Sequence, residues 1–398
     1  MIQPEVLYRS PNVLAADYSR FRVGERLLLT GHSHQAWPDC GFDGQQQAWV
    51  DAAELVDDKW SAVFAKVEQV RQGFAMLLGE PDAEIAFESN TLNLVARFLS
   101  ALPLTKRRRL VTTDGEFHTI RRLLARLAEE GIEVVRVAAE PVETLAARLA
   151  AVVDDHTAAV LCSSVLFQTA RIVPGLLDVG AACKRHGVEF LIDAYHHLNV
   201  VPFDPAGLEQ AFVVGGGYKY CQLGEGVCFL RIPKGCLLKP VLTGWFAEFD
   251  ALADADHTTV MYPHGAGRFA GATFDPTSFY RAASVFEFFK QRRLTPELLR
   301  EVSQHQVQLL AERFDALVFD PAVVRRDTTV DLAHVGGFLV LWSPHAEEIS
   351  RRLKERGVLT DHRGEGLRVG PAPYLSDAQL KEAIERLREA CGDLGGHA

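Results

Sequence analysis

The sequence predicts an α/β protein with a mostly parallel central sheet and a smaller α+β domain at its C-terminus. From residue 84 onward, short apolar runs of strand length alternate with helical patterns, which is typical of βαβ units. Several of these runs end abruptly in polar residues, as strands do at the ligand-binding edge of an open α/β sheet. With 398 residues and 48% hydrophobic content, the chain is long enough for a large core and two domains.

Taken in order, the chain begins with an irregular arm and a short strand at 26–30. A long helical region is expected over 44–78, with an apolar stripe that includes Trp49 and Leu55. The strands predicted for the sheet are 85–87, 110–112, 133–137, 158–162, 188–192, 211–214 and 227–231. The intervening helices are expected to begin near Thr91, His118, Val142 and Leu176. Because the link 218–227 is too short for a crossover helix, the last strand is either antiparallel to its neighbour or a detour at the sheet edge.

The C-terminal part is predicted from the same kinds of pattern. A Gly-rich loop at 262–273 is suited to line a pocket. Helices are expected at 277–290, 296–314, 346–356 and 377–390, and strands at 338–342 and 367–369. We therefore expect three units: an N-terminal arm and segment (1–60) that contributes to the small domain, a large α/β domain (61–294), and a small α+β domain (295–398).

Charge and composition restrict the class of protein. A net charge of −10 argues against general nucleic-acid binding. The sequence contains no apolar run long enough to cross a bilayer, and residues 1–5 do not look like a signal peptide. Seven cysteines, an odd number, suggest reduced thiols, and the spacing of Cys221, Cys228 and Cys236 does not fit a zinc knuckle. We expect a cytoplasmic enzyme with no metal site and no membrane partner.

An aspartate and a lysine follow two neighbouring predicted strands. Asp193 ends the run 188–192, and Lys219 follows the run 211–214 and three glycines. Pyridoxal phosphate (PLP) uses such a pair, since its aldehyde forms a Schiff base with a lysine and its ring nitrogen needs a carboxylate. A helix-capping aspartate and a surface lysine are the alternative, but the order of both strand ends favours the cofactor.

Two further turns fit the same cofactor. At 88–93 (Glu-Ser-Asn-Thr-Leu-Asn) a strand gives way to a helix, where backbone N–H groups and hydroxyls form an anion site, so Asn90 and Thr91 are candidates to hold a phosphate. A plain helix cap is the alternative at this turn. Phe117 follows the second strand, where an aromatic side chain can stack on a flat ring, or else fill the core.

Four motifs in this order resemble those of one family. They are Asp-Ala-Tyr-His at 193–196, Gly-Tyr-Lys-Tyr at 217–220, Thr-Gly-Trp-Phe at 243–246 and Leu-Arg-Val-Gly-Pro-Ala-Pro-Tyr at 367–374. The chain resembles fold-type I PLP enzymes of the aminotransferase class V group, and within that group it is most similar to kynureninase. The likeness runs from about Leu27 to the C-terminus. It implies the PLP-dependent transferase fold of the aspartate aminotransferase type and a homodimer with shared active sites.

The resemblance also implies roles for individual residues. Lys219 would hold the cofactor as an aldimine and shuttle the Cα proton through a quinonoid, with Asp193 on the ring nitrogen and His196 beside it. Asn90, Thr91 and Tyr218 would bind the phosphate, and Trp245 and Thr273, of the same or of the second subunit, would close that cup. Phe117 would stack on the ring, and Ser163 would line the cofactor face. Arg368 would bind the substrate α-carboxylate, although a structural ion pair or a surface arginine is the alternative.

The reaction that the resemblance implies is hydrolytic Cβ–Cγ cleavage of an α-amino acid with a γ-carbonyl, which releases alanine. His32, His34 and Tyr218 are candidates for proton transfer, and the two histidines are also candidate substrate-binding residues. Three segments that would face the substrate side chain depart from the kynureninase pattern, namely 31–35, 55–59 and 272–276. An aminotransferase, an epimerase, another β-lyase or a non-catalytic PLP-binding protein therefore remain alternatives. A cysteine desulfurase is disfavoured because no cysteine lies between Cys236 and Cys391.

Overall fold

The computed structural model describes residues 3–253, 258–392 and 394. The α-helices described are α1 Pro4–Tyr8, α2 Cys40–Leu55, α3 Lys59–Leu77, α4 Thr91–Ala101, α5 His118–Glu129, α6 Leu145–Ala151, α7 Leu176–His186, α8 Thr277–Arg292, α9 Pro296–Ala316, α10 Ala346–Glu355 and α11 Asp377–Cys391. Short 3-10 helices occur at Ala15–Phe21, Val56–Asp58, Val142–Thr144, Trp245–Ala251, Gly265–Phe269 and Leu332–His334. The domain limits predicted at residues 1 and 398 lie outside the described residues.

The strands form three sheets. In chain order they are β1 Leu27–Leu28, β2 Glu84–Glu88, β3 Arg109–Thr113, β4 Glu133–Val137, β5 Thr157–Ser163, β6 Glu189–Asp193, β7 Ala211–Gly216, β8 Cys228–Ile232, β9 Arg325–Arg326, β10 Leu339–Trp342, β11 Val358–Leu359, β12 Asp361–Arg363 and β13 Gly366–Val369. The large sheet has seven strands in the order β2-β8-β7-β6-β5-β3-β4. Only β8 runs against its two neighbours, β7 and β2.

The predicted strand orientation is confirmed, with β8 in the interior of the sheet rather than at its edge. Strand β8 follows β7 after a link too short for a helix, so it returns antiparallel beside it. The remaining strands of the large sheet share one direction, and their carboxyl ends therefore lie along one edge. That edge carries the candidate site.

Helices cover both faces of the large sheet, which explains why its strands are apolar along their length. On β6, Phe190 and Ile192 belong to one buried cluster, whereas Leu191 belongs to another. The first cluster includes Phe74 of α3, and the second includes Phe98 of α4. This alternation fixes the pairing register and hence the direction in which each strand-end side chain points.

The N-terminal segment joins the C-terminal sheet region. Strand β1 pairs in parallel with β11, and a bridge links Thr30 to Gly370. The four-stranded sheet beside it has the order β12-β13-β10-β9 with antiparallel pairs. A Cβ on Gly31 would lie 2.2 Å from the carbonyl oxygen of Pro371, so only glycine allows this close approach. The loop after β1 is thereby held against the end of β13.

Most predicted elements agree with the structure to within a few residues, but the apolar stripe over 44–78 is wrong in part. Two helices are present rather than one, separated by a turn in which Val56 has a left-handed φ of 52°. Trp49 is 78% exposed and Leu55 is exposed. The buried face of α2 is made of Gly41, Gly44 and Ala48, because α8 packs too closely for large side chains. Among the described residues, no helix is long and apolar enough to cross a membrane.

Candidate active site

The site is built on the ends of three adjacent strands. Ser163 and Asp193 are the last residues of β5 and β6 and are paired in register. Lys219 follows β7 by three residues. A Cβ on Gly216 would lie 2.3 Å from the Tyr195 hydroxyl, so glycine is required there to pack the turn closely against β6 and its loop. This packing directs the Lys219 amine toward Asp193.

A cavity of about 450 Å³ lies over these strand ends. It is lined by Ser89, Asn90, Thr91, Leu92, Phe117, Thr119, Ser163, Val165, Phe167, Asp193, Tyr195, His196, Tyr218, Lys219, Glu225, Gly226 and Cys228. Eight of these residues are candidates that the sequence had indicated: Asn90, Thr91, Phe117, Ser163, Asp193, His196, Tyr218 and Lys219. The chain brings this group together without help from its C-terminal domain.

Lys219 is a buried amine in an aromatic and cationic setting. Its Nζ lies 2.6 Å from His196 Nε2 and 4.6 Å from the centroid of the Tyr195 ring. Burial lowers the pKa of Lys219 to about 7, the Asp193 carboxylate opposes that shift and the Arg368 guanidinium adds to it. Burial, followed by the neighbouring Lys219, holds the pKa of His196 well below its usual range. A neutral amine at neutral pH is the form that reacts with an aldehyde.

Asp193 presents a carboxylate to the same cavity. Its Oδ1 accepts a hydrogen bond from the backbone N–H of Tyr195 at 2.9 Å, which leaves acceptor capacity directed toward the cavity. Burial raises the pKa of Asp193, while that hydrogen bond and Lys219 lower it. A protonated ring nitrogen placed here would stabilise the ionised form.

The opposite end of the cavity is the start of α4. Asn90 is the N-cap, and its side chain accepts from the backbone N–H of Asn93 at 3.0 Å. The side-chain oxygen of Asn90 therefore caps the helix, as the alternative interpretation expected. The side-chain nitrogen of Asn90 and the hydroxyl of Thr91 lie next to the cavity. Free N–H groups at a helix start, together with hydroxyl donors, suit a phosphate.

Phe117 forms one wall of the cavity. Its ring meets that of Phe167 edge to face with centroids 5.2 Å apart, and Lys219 Nζ lies 5.3 Å from its centroid. Tyr218, opposite, stacks on His34 with centroids 4.8 Å apart and an interplanar angle of 19°. His34 is exposed and lies 3.7 Å from Glu225. A flat ring between Phe117 and the Lys219 side would therefore meet an aromatic surface.

Arg368 is buried and lies in an ion pair. Its Nε donates to Asp361 Oδ1 at 2.9 Å, a second guanidinium nitrogen donates to Asp361 Oδ2, and the third donates to the Phe167 carbonyl oxygen at 2.8 Å. Three of the five N–H donors of an arginine are thus used. The structural ion pair foreseen as an alternative for Arg368 is present, and Arg368 is not among the described residues that line the 450 Å³ cavity.

His32 lies behind this pair. Its Nε2 is 2.6 Å from Asp361 Oδ1, its ring is fully buried, and it packs on Phe338 with centroids 4.7 Å apart. Burial lowers the pKa of His32 to about 4, so the ring is neutral and donates to Asp361. Burial acts to raise the pKa of Asp361, but the bonds from His32 and Arg368 outweigh it and hold that pKa well below its usual range.

Trp245 and Thr273 do not line the 450 Å³ cavity. Trp245 Nε1 donates to Thr273 Oγ1 at 3.3 Å, and Trp245 is 44% exposed. Thr273 lines a second, larger cavity of about 1100 Å³. Ser89, Glu225 and Gly226 line both cavities, so the two are adjacent.

The sequence reasoning missed two carboxylates, Asp361 and Glu116. Asp361 follows a two-residue strand in a segment with no clear periodicity, and only its pairing opposite Arg368 in β13 reveals it. Glu116 directly precedes Phe117 in a polar turn (Asp-Gly-Glu-Phe-His-Thr at 114–119), so the sequence carried no signal that its side chain is buried. Glu116 is 2% exposed and bonds to Ser163 rather than to solvent.

These features fit one cofactor. The cavity has a buried amine, a carboxylate with free acceptor capacity, an aromatic wall and a helix start with hydroxyls. A buried nitrogen of His196, Nδ1, also lacks a hydrogen-bond partner among the described residues. Together with the sheet topology, this set defines a PLP-dependent enzyme of fold type I, and PLP is its cofactor.

The chain belongs to the aminotransferase class-V family, which matches residues 56–331. Residues 299–387 match the kynureninase C-terminal domain, so the chain is a kynureninase-like member. It is 26% identical to the kynureninase of Deinococcus radiodurans over 372 residues, covering 88% of this chain and 84% of that one. It is 25% identical to isopenicillin N epimerase of Streptomyces clavuligerus over 382 residues, covering 87% and 88%.

A solved structure shows the same fold. It is a variant of C-DES with glycine covalently linked to the PLP cofactor, with a TM-score of 0.80 and 18% identity, covering 94% of this chain and 98% of that one. The predicted fold class, the cofactor and the family resemblance are therefore confirmed.

Proposed function

We propose that the protein is a PLP-dependent hydrolase that cleaves the Cβ–Cγ bond of an α-amino acid carrying a γ-carbonyl. Water adds to the γ-carbonyl, the Cβ–Cγ bond breaks, and the products are alanine and a carboxylic acid. The observation that carries this proposal is the buried amine of Lys219, which faces Asp193 across one cavity in a chain whose C-terminal part matches the kynureninase domain.

The roles of the chain's residues follow from their positions. When bound, PLP supplies an electron sink for negative charge at the substrate Cα. Lys219, with a pKa of about 7, can accept the Cα proton and return a proton near neutral pH. Asp193 would hold the ring nitrogen protonated, and the Arg368 guanidinium, oriented by Asp361, would bind the α-carboxylate. Asn90 and Thr91 bind the phosphate.

Proton transfer at the γ-carbonyl is assigned to Tyr218 and His34. These two side chains stack on each other beside the cavity, and His34 is exposed enough to exchange protons with water. His32 has a different role, because its Nε2 is engaged by Asp361 and its ring is fully buried. It supports the substrate-carboxylate site through Asp361.

We further propose a homodimer in which Trp245 and Thr273 reach the phosphate of the partner subunit. Trp245 and Phe249 expose large aromatic surfaces, 44% and 51% of each side chain, next to the 1100 Å³ cavity. Because the two cavities share lining residues, a segment of a second copy inserted in the larger cavity would reach the smaller one. The three-unit division of the chain is part of the same proposal, and the β1–β11 pairing supports it.

The reaction is tested by incubating the holoenzyme with kynurenine and with 3-hydroxykynurenine and analysing the products by mass spectrometry. We expect stoichiometric alanine together with the aromatic acid. A Lys219→Ala variant is the matched control and should release none. Turnover of neither substrate would contradict the proposal and limit the likeness to fold and cofactor.

The similarity to an epimerase supports a second candidate, which acts on Cα alone. The substrate-facing segments 31–35 and 272–276, which depart from the kynureninase pattern, also fit a different side chain. Incubation of an amino-acid panel in deuterated water separates the candidates. Cleavage yields labelled alanine, epimerisation yields the unchanged amino acid labelled at Cα in both configurations, and transamination leaves pyridoxamine phosphate in stoichiometric amount.

A further inference from the structure

Glu116 is a buried carboxyl group beside the cofactor cavity that the proposed reaction does not use. It is 2% exposed, and among the described residues no Lys, Arg or His lies within ion-pair distance of it. Taking an ionised carboxylate out of water without a cation is costly, and this cost favours the protonated form. The groups around it are hydrogen-bond donors, so the protonation state of Glu116 determines the direction of the hydrogen bonds at this place.

The hydrogen bonds around Glu116 locate that proton. Oε1 accepts from the backbone N–H of Ser163 at 3.1 Å and from the Thr113 hydroxyl at 2.6 Å. Thr113 Oγ1 also accepts from the N–H of Gly115 at 3.1 Å, and its hydroxyl hydrogen is the one donated to Glu116 Oε1. Because Oε1 already accepts two bonds, a proton on the carboxyl group resides on Oε2. Oε2 lies 2.6 Å from Ser163 Oγ.

We propose that Glu116 is a positioning residue that determines whether the Ser163 hydroxyl acts as a donor or an acceptor toward the cofactor. When Glu116 is protonated, Oε2 donates to Ser163 Oγ, and the hydroxyl hydrogen of Ser163 must point into the cavity that Ser163 lines. When Glu116 is ionised, Ser163 donates to Oε2 instead and presents only lone pairs to the cavity.

The charged and titratable groups that face Glu116 favour a carboxyl group that stays protonated up to about neutral pH. Asp193, at the end of the adjacent strand β6, raises the pKa of Glu116, and the Cys162 thiol of β5 lies beside both carboxyl groups. Lys219 lies beyond Asp193, and Asp114 on the same turn is engaged with the N–H of Ala139. Burial raises the pKa of Glu116 to about 7, against hydrogen bonds from Ser163 and Thr113 that lower it.

The consequence is a pH-dependent contact with the cofactor ring. An oxygen on the ring that carries negative charge would accept from Ser163 only while Glu116 is protonated. By linkage, a cofactor that favours the donor form raises the pKa of Glu116. This inference depends on the cofactor site and not on the identity of the substrate, so it stands or falls separately from the kynurenine assays.

The Glu116→Gln variant tests this directly, because a glutamine reproduces the protonated carboxyl. Its oxygen accepts from Ser163 N–H and Thr113, and its NH₂ donates to Ser163 Oγ at every pH. The apoprotein and the holoenzyme are titrated across pH 7 with infrared difference spectroscopy for the protonated carboxyl and with visible absorbance for the cofactor. The Ser163→Ala variant provides a second measurement if the glutamine variant does not fold.

In the wild-type apoprotein we expect a carboxyl band that disappears as the pH rises through about 7 and that is absent from Glu116→Gln. In the wild-type holoenzyme the band should persist to higher pH. The cofactor absorbance should change with pH in the wild type and stay constant in Glu116→Gln, while Ser163→Ala keeps the band and loses the absorbance change. A band that is absent at every pH, or an unchanged cofactor titration in both variants, would overturn the assignment.

Discussion

Arg368 bonds to Asp361 along one edge of its guanidinium group, and in the proposed reaction this pair would orient the group that binds the substrate carboxylate. Asp361 is held in turn by the neutral His32, so the guanidinium orientation is fixed before any substrate arrives. If Arg368 binds the substrate carboxylate, as proposed, its guanidinium group is preorganised for that contact. Preorganisation of this kind lowers the entropic cost of binding.

Replacing Arg368 by lysine or by glutamine tests this arrangement. A lysine keeps the charge but cannot serve Asp361, the Phe167 carbonyl and a substrate carboxylate together. Each hydrogen bond to a charged group contributes about 1.5–3 kcal/mol, so we expect KM to rise roughly 10- to 100-fold in both variants. Steady-state kinetics on the productive amino acid measures this. A lysine variant with wild-type KM would exclude the proposed contact with the substrate carboxylate.

Asp361→Asn should alter the pH dependence of stability. The folded-state pKa of Asp361 is depressed, so its contribution to stability is fully present above its unfolded value of about 4 and is lost as the pH falls toward the folded value. The variant should unfold with a free energy lower by about 1–3 kcal/mol at neutral pH and show a flatter decline in acid. Urea unfolding at a series of pH values gives both quantities, and an unchanged acid limb would refute the coupling.

Lys219 should react with PLP as a neutral amine near pH 7. Its pKa is lowered by burial, so the unprotonated fraction rises with pH and levels off above about 7, whereas an ordinary lysine would level off near 10.4. We expect the rate of covalent reconstitution of the apoprotein to follow that lower curve. Stopped-flow absorbance measures it, with borohydride trapping and peptide mass spectrometry to locate the adduct.

Lys219→Ala is the control for that titration and should form no trapped adduct. A rate that continues to increase well above pH 8 would show that Lys219 is not desolvated in the apoprotein. If the wild type bound the cofactor without forming an adduct at Lys219, the proposal that Lys219 is the lysine that binds PLP covalently would be wrong.

The sequence was sufficient to predict the large sheet and the placement of Asp193 and Lys219 at one cavity, because both depend on local patterns. Apolar runs identified the strands of the sheet. The polar residues directly after the β6 and β7 runs predicted that Asp193 and Lys219 would lie close together. The short link before β8 predicted its antiparallel direction. These inferences need only strand length, strand direction and chain connectivity.

The substrate side of the site depends on contacts between distant segments, which no local pattern reveals. His32 meets Asp361 across 329 positions of the chain, and the fold determines this contact through the Thr30–Gly370 bridge. The stripe with Trp49 and Leu55 failed for a related reason, since α2 buries its small residues against α8. Helical periodicity identified the helices, but it did not identify which face of α2 is buried against the neighbouring helix.

The shared active site is tested by mixing two inactive chains. In a Lys219→Ala chain Trp245 is intact, and in a Trp245→Ala chain Lys219 is intact. If Trp245 serves the partner's phosphate, a hybrid dimer contains one site with both residues and one with neither. Random exchange of subunits should then restore about one quarter of wild-type activity, since half of the dimers are hybrids and each has one complete site.

The matched control for this experiment mixes Lys219→Ala with Arg368→Gln. Arg368 donates to the carbonyl oxygen of Phe167, which lines the same cavity as Lys219 in the same chain, so no hybrid contains a complete site. At a substrate concentration below the raised KM, this mixture should show no activity above that of its Arg368→Gln homodimers. Recovery in the first mixture alone establishes that Trp245 acts across the interface. Equal failure of both mixtures, with subunit exchange verified by mass spectrometry of the intact dimers, would place Trp245 in a structural role within its own chain.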